Sequence, residues 1–318
     1  MEPEVMKMKK QMLIPFLWGL ILPLVVMGIL VRLDKRPAQQ PEESLGTDLQ
    51  EQIRVVLDDG TTEELELQTY LLRVVLAEMP ASFPEEALKA QAVVARTYAA
   101  RRQDSGKHPE GAVCLQASCC QGYREEADFL SGGGTRESVD KVRRAVEQTR
   151  GEVLTYEGEL IDATYFSSSG GRTEAAVAVW GTDVPYLQAV DSPGEAPGNP
   201  SQQVSFSAED FARCVGFENE GDPRDWFSDV RYTEGGGVDS ISIRGQTYKG
   251  TRLRTLLGLR STAFRIGVEG GWITVTTQGY GHRVGMSQYG AKAMADRGED
   301  YKAILAHYYV GTELEKRE

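Results

Sequence analysis

Glu78 is the carboxylate with the clearest chemical promise. It closes a predicted helix, YLLRVVLAEM, immediately before Met79-Pro80, with Leu76 and Phe83 nearby in sequence. The negative end of a helix dipole disfavours a carboxylate, and apolar neighbours desolvate it. Both effects keep the group protonated closer to neutrality, the state that general-acid cleavage of a glycosidic bond requires. A solvated glutamate at a helix end is the plainer alternative. Lys89 and Arg96 stand seven residues apart on the next predicted helix. Seven steps of about 100° return to the same face, roughly 10 Å along the axis. With Val93 between them they form a stripe that could meet a glycan or a carboxylate, or simply be a solvated cationic face.

A second constellation is His108, Cys114 and Cys120, spaced H-x5-C-x5-C. Two soft sulfurs and an imidazole suit zinc. A disulfide or free thiols would use the same residues. Adjacent Cys119 and Cys120 do not easily serve one compact site, which leaves a fourth position to water or a distant side chain.

Two Gly-rich segments complete the set. SSSGGRT (167–173) follows a strand ending in Tyr165-Phe166. Its glycines permit backbone approach to a ligand, and the hydroxyls of Ser167, Ser168 and Ser169 can bond sugar hydroxyls beside Gly170 and Gly171. GYGHRVGMSQYGA (279–291) carries Tyr280, His282, Ser287, Gln288 and Tyr289, a mixture suited to stacking on sugars or to a tight turn opening a helix. His282 with Asp183 or Asp191 completes a serine triad on paper, but no spacing supports it.

These residues need elements to hold them. IRVVL and ELEL around DDGTT predict a hairpin. Ser82-Phe-Pro-Glu85 predicts a capped start for a helix running to about Arg102. A Cys-bearing loop follows, then a helix near 138–148 and a hairpin in GEVLTYEGELIDATYF. SPGEAPGNPSQQ (192–203) is a breaker cluster. The predicted fold is α+β. A mixed helix and hairpin core occupies about 51–192 and 278–318, with a second, smaller lobe at about 193–277.

The 318 residues carry a formal net charge of −12. An acidic body argues against nucleic acid. Residues 12–31, MLIPFLWGLILPLVVMGILV, carry no charge and at about 1.5 Å per residue span roughly the 30 Å of a bilayer core. They predict one transmembrane anchor after a short cytoplasmic stretch (1–11). A polar tether (32–50) and an extracytoplasmic body (51–318) would follow.

Taken together, AEMPASFPEEALKAQAVVARTYAARR, CLQASCCQGY, ATYFSSSGGRTEAA, VWGTDVPYLQAVDSP and GYGHRVGMSQYGAKAMA resemble, in order, the stage II sporulation protein D family of lytic transglycosylases. The resemblance implies an enzyme of the engulfing septal membrane in endospore formation. Its substrate would be peptidoglycan glycan strands stripped of stem peptides, cut between N-acetylmuramic acid and N-acetylglucosamine to leave 1,6-anhydro ends. The family's catalytic glutamate falls on Glu78 and its supporting basic positions on Lys89 and Arg96. Tyr98, on the same helix, is grouped with them as a substrate contact. Some members hold structural zinc through a His and Cys pattern that His108, Cys114 and Cys120 resemble; Cys119 is not accounted for by it. The resemblance also implies sporulation proteins M and P as partners. Because the family includes amidase enhancers, it implies a non-catalytic glycan-binding alternative.

Overall fold

The expected first hairpin forms. β1 (Gln52–Val56) pairs antiparallel with β2 (Thr62–Glu66), with Ile53 opposite Leu65. The chain then enters α1 (Leu67–Glu78) three residues earlier than the sequence suggests, because the Glu66 side chain accepts from the Thr69 N–H and caps the helix. The computed structural model describes residues 52–57, 59–195 and 201–317.

α2 (Glu85–Asp104) is the central helix. Its N-cap position is Pro84, with no side-chain cap, so Ser82 does not cap as the sequence suggested. Nearly every residue from Ala87 to Ala99 is buried. Alanine at so many positions lets neighbours approach from all sides, and α1 packs against it. After β3 (Val113–Cys114), which joins β1 in parallel, come α3 (Glu126–Ser131) and α4 (Arg136–Gln148). Val139, Val142 and Val146 of α4 pack with Tyr70, Leu71, Val74 and Val75 of α1 in one buried cluster.

β4 (Glu152–Tyr156) and β5 (Glu159–Leu160) form the second expected hairpin. β6 (Tyr165–Phe166) and α5 (Ala176–Trp180) follow. The segment expected as a second lobe holds β7 (Gln202–Ser207), α6 (Ala208–Val215), β8 (Phe227–Tyr232), β9 (Val238–Ile243), β10 (Gln246–Lys249), α7 (Gly250–Leu256), β11 (Phe264–Glu269) and β12 (Trp272–Thr277). They form two three-stranded sheets, β10-β9-β8 and β11-β12-β7. A separate hydrophobic cluster around Phe211, Trp226, Leu253 and Ile273 underlies them.

The chain then returns to the first cluster. β13 (Met286–Ser287) pairs in parallel with β6, Met286 opposite Tyr165. α8 (Gln288–Asp296), α9 (Tyr301–Tyr308) and β14 (Glu313–Lys316) complete it, the last pairing with β4. Gly285, just before β13, has φ +80°, and a Cβ there would stand 2.1 Å from the Thr164 carbonyl oxygen. Only glycine lets the two segments come this close. Among the described residues the fold is thus α+β, with nine helices and small sheets.

The membrane location expected from residues 12–31 is corrected. That segment lies outside the described residues, and among them no helix is long and apolar enough to cross a membrane. A location resting on that segment is therefore not carried forward.

Candidate active site and metal centre

Glu78 is the last residue of α1, where the dipole argument placed it. Its carboxyl is half-buried and meets the loop that follows the cysteines. Oε1 accepts the backbone N–H of Gly122. Gly122 has no Cβ for a reason visible here: one would lie 2.9 Å from that same oxygen. The Tyr165 hydroxyl also neighbours the carboxyl. Burial raises the Glu78 pKa above the usual glutamate range, against the opposing pull of the Gly122 N–H and Tyr165. Among the described residues no cation forms an ion pair with it. Tyr165 is itself held by buried Gln121, whose Oε1 lies 3.1 Å from its hydroxyl.

Lys89 and Arg96 do not gather at this carboxyl. Lys89 pairs with Glu86 at 2.7 Å and lies 5.8 Å from the Tyr301 ring centre. Arg96 is fully buried, so the expectation that it faces substrate is corrected. Its guanidinium donates to the Glu152 and Val146 carbonyl oxygens and to Gln68 Oε1, at 3.2–3.4 Å. Gln68 stands ten residues before Glu78 on α1, roughly 15 Å along the helix. Arg96 therefore ties α2 to α1, α4 and β4. Burial brings its pKa down to about 10. Tyr98 is buried beneath the Arg102 guanidinium, 4.8 Å from its ring centre.

The Gly-rich segments meet each other just past β6, where the chain bends at Ser167. Tyr289 N–H donates to the Ser167 carbonyl oxygen. The Tyr289 ring meets Phe83, five residues beyond Glu78, edge-on at 5.2 Å. Ser168 pairs with Tyr280, and His282 packs between Phe166 and Trp180 at 5.6 and 5.4 Å. His282 accepts the Val284 N–H on Nδ1. Burial brings its pKa down to about 4, so the ring is neutral at pH 7.

Three expected sugar contacts are spent internally. Ser287 caps α8 through the Gly290 N–H, and buried Gln288 reaches Gln91. Ser169 gives both its N–H and its hydroxyl to the Glu195 carboxylate, at 2.8 and 2.6 Å; the Gly170 N–H (3.1 Å) and the Ser192 hydroxyl (2.7 Å) complete that nest. Gly171 is exposed, and its N–H donates to Ser169 Oγ. The serine-triad arrangement does not form. Asp191 pairs with Arg172, while Asp183 accepts from the Gln188 side-chain amide.

The cysteine loop departs from expectation in a different way. His108, Cys114, Cys119 and Cys120 bring one ligand atom each within 4.8 Å of one another. His108 Nε2 lies 3.5 Å from Cys119 Sγ and 3.3 Å from Cys120 Sγ. Tetrahedral zinc, with Zn–S of about 2.3 Å and Zn–N of about 2.0 Å, sets its ligands roughly 3.5–3.8 Å apart. The donor set and its spacing fit. Cys119, judged unable to share a site with its neighbour, stands with the other three as a fourth candidate donor. The turn in which both N–H groups donate to the Gln116 carbonyl oxygen brings the two sulfurs together.

A family profile described as "Stage II sporulation protein" matches residues 58–156. Stage II sporulation protein D of Bacillus subtilis (strain 168) is 38% identical over 261 residues, 80% of this chain and 76% of that protein. Its counterpart in Bacillus amyloliquefaciens is also 38% identical, over 80% and 75% of the two chains. This chain belongs to the stage II sporulation protein D family. The amidase enhancer of Bacillus subtilis (strain 168) is 33% identical over 76% of this chain and 39% of its own length.

In this stage II sporulation protein D family member, sequence reasoning missed Gln121, Gly122 and Tyr165, all of which lie inside the quoted motifs. It also missed a buried pair, Arg283 with Glu174 at 3.0 Å. Arg283 donates besides to the Ser169, Arg172 and Gly235 carbonyl oxygens. A cavity of about 240 Å³ lined by Glu174, Val177, Thr233, Asp239 and Lys249, among others, includes none of the predicted site residues.

Proposed function

We propose that this family member is a lytic transglycosylase acting on peptidoglycan glycan strands during engulfment in endospore formation. It would cut between N-acetylmuramic acid and N-acetylglucosamine, with Glu78 as the acid and then the base. The observation that carries this reading is a carboxyl at a helix C-terminus, half-buried, unpaired with any cation among the described residues, and raised in pKa. Such a group can hold a proton near neutrality and deliver it.

The steps balance on one carboxyl. Glu78 protonates the bridging oxygen as the glycosidic bond breaks, and positive charge builds on the muramic ring. The C6 hydroxyl of that ring attacks its anomeric carbon and yields its proton to the Glu78 carboxylate. The proton is restored, the 1,6-anhydro bond forms, and no water or second carboxylate enters. Zinc held by His108, Cys114, Cys119 and Cys120 would cross-link the loop that ends in Gln121 and Gly122, a structural role. Sporulation proteins M and P are its proposed partners.

The test is mass spectrometry of denuded glycan digested by wild type and Glu78→Gln. Anhydro-ended fragments should disappear with the variant while glycan binding persists; undiminished release overturns the assignment. The amidase enhancer relative favours a second reading, a glycan-binding stimulator of an amidase. Stimulation of a cell-wall amidase to the same extent by Glu78→Gln would favour it.

A further inference from the structure

Glu174 is 1% exposed, yet only one oxygen of its carboxylate is satisfied. Oε1 accepts from Arg283 at 3.0 Å, from the Gly237 N–H at 3.0 Å and from the Thr233 hydroxyl at 2.8 Å. Oε2 is buried and receives no hydrogen bond. The turn between β8 and β9 closes over the group: a Cβ on Gly235 would stand 2.6 Å from Oε2. That turn brings this oxygen no donor. A carboxylate oxygen can only accept, and burying it without a donor is costly. Glu174 also lines the cavity of about 240 Å³ beside α5, so a molecule seated there can supply what Oε2 lacks.

We propose that this cavity is a second saccharide site, taking one N-acetyl amino sugar whose amide N–H donates to Glu174 Oε2. The proposal rests on the reading of the protein as one that acts on peptidoglycan glycan, whose sugars carry acetamido groups. Charge selects first. Arg283 balances Glu174, and Lys249 balances Asp239 at 2.8 Å. With the charges at its walls paired, the cavity suits a neutral ligand over an ionic one, which would enter without a counter-charge. Apolar contact selects next: Val177, Val179 and Val238 offer a seat for the acetyl methyl. Thr251 and Thr262 add hydroxyls that can donate to and accept from those of a sugar. A volume of about 240 Å³ falls below the roughly 300–1,000 Å³ of pockets for drug-sized molecules and matches a single ring.

The surroundings extend the site. Val177 and Trp180 stand three residues apart on α5, which makes them neighbours on one helix face. They are 48% and 47% exposed. His282 packs against the indole at 5.4 Å and steadies it. A sugar joined to the one in the cavity can lay its apolar face on that ring, so Trp180 marks the direction in which a strand leaves. Neither Glu78 nor its neighbours Gly122 and Tyr165 line the cavity. The site therefore holds glycan and does not cut it.

The experiment is saturation-transfer NMR on the full chain, with N-acetylglucosamine, glucose, glucosamine and N-methylacetamide as probes. N-acetylglucosamine should give a signal strongest at its acetyl methyl. Glucose lacks the amide, glucosamine carries an amine in its place, and N-methylacetamide lacks the ring. Each should bind about tenfold more weakly or worse, the effect of losing a hydrogen bond to a charged group or the contacts of the ring. Equal signals from any of the three, or none from N-acetylglucosamine, overturn the proposal. Val177→Trp fills the cavity mouth from an exposed helix position and should abolish the signal. An unchanged signal there puts the sugar elsewhere, beside Glu78 or otherwise, and overturns it too. In Glu174→Gln the remaining oxygen stays with Arg283 and the Gly237 N–H, so an amide nitrogen that cannot accept takes the place of Oε2. Binding should fall about tenfold, and an unaffected signal removes Oε2 from the site. Thermal melts confirm that the variants are folded; if Glu174→Gln is not, Val177→Trp decides. Because no bond is cut in this measurement, the site and the catalytic assignment of Glu78 can fail separately.

Discussion

Gly122→Ala should reduce glycan cleavage about tenfold while leaving the fold intact. A Cβ at this position would stand 2.9 Å from Glu78 Oε1, 3.2 Å from its Cδ and 3.5 Å from Ala77 Cβ. Non-bonded carbons rest at roughly 3.5–4.0 Å, so something must retreat by roughly 0.5 Å. The movable party is the end of the glutamate side chain, not backbone. The carboxyl would swing away from the Gly122 N–H and from its place relative to the sugar. A misplacement of about 1 Å can cost about 10²-fold; half of that gives about tenfold, or about 1.4 kcal/mol of barrier. Stability should not follow. Gly122 is not among the residues with positive φ, so alanine fits the backbone and stiffens the unfolded chain, worth about 0.4–1 kcal/mol. The assay is the initial rate of anhydro-product release, measured beside a thermal melt. Full activity in the variant, or a loss that merely tracks a lowered Tm, would refute the reasoning.

Glu78→Gln should be more stable than wild type at neutral pH. The folded carboxyl titrates above its unfolded value of about 4.3, so its stabilising contribution is complete below that value and lost as pH rises through the folded pKa. Melts across pH should show the Tm advantage of the variant shrinking to nothing below about pH 4; an advantage that grows in acid contradicts the shift. Arg96→Met strands three buried acceptors and should cost about 2–4 kcal/mol, read as a lower urea midpoint. Unchanged stability with a raised KM would restore Arg96 to the substrate. Purified protein should carry one zinc per chain by elemental analysis, lost in Cys119→Ser and kept in Cys214→Ser; retention in Cys119→Ser would reduce the site to the three residues read from sequence.

Much of the framework was legible because it is local. The hairpin around DDGTT, the end of α1 at Glu78 and the long α2 follow from turn chemistry, a proline stop and a run of helix formers. What failed was set by tertiary contact. Ser82 could not be ruled out as a cap from sequence, since Pro84 occupies the cap position only in the folded geometry. Arg96 reads as a surface cation until β4 and α4 are laid over it. Cys119 reads as surplus because adjacent side chains in extended chain diverge, whereas here a tight turn brings them together. Tyr165 was passed over as a strand aromatic. Its significance depends on Gln121, 44 residues away, and spacing along the chain gives no hint of that meeting.

The parallel pairing of β6 with β13 has a consequence for how the protein is made. Tyr165 lies on a two-residue strand whose partner, Met286–Ser287, leaves the ribosome long after it. Tyr309, later still, donates to the carbonyl oxygen of Thr164. A nascent chain can therefore complete α1 and α2 and display Glu78 while the phenol beside it has no fixed place. The phenol gains its place near the acid only when the last segments have docked, so a chain cut short before residue 286 should form α1 and α2 and leave Tyr165 without its strand partner.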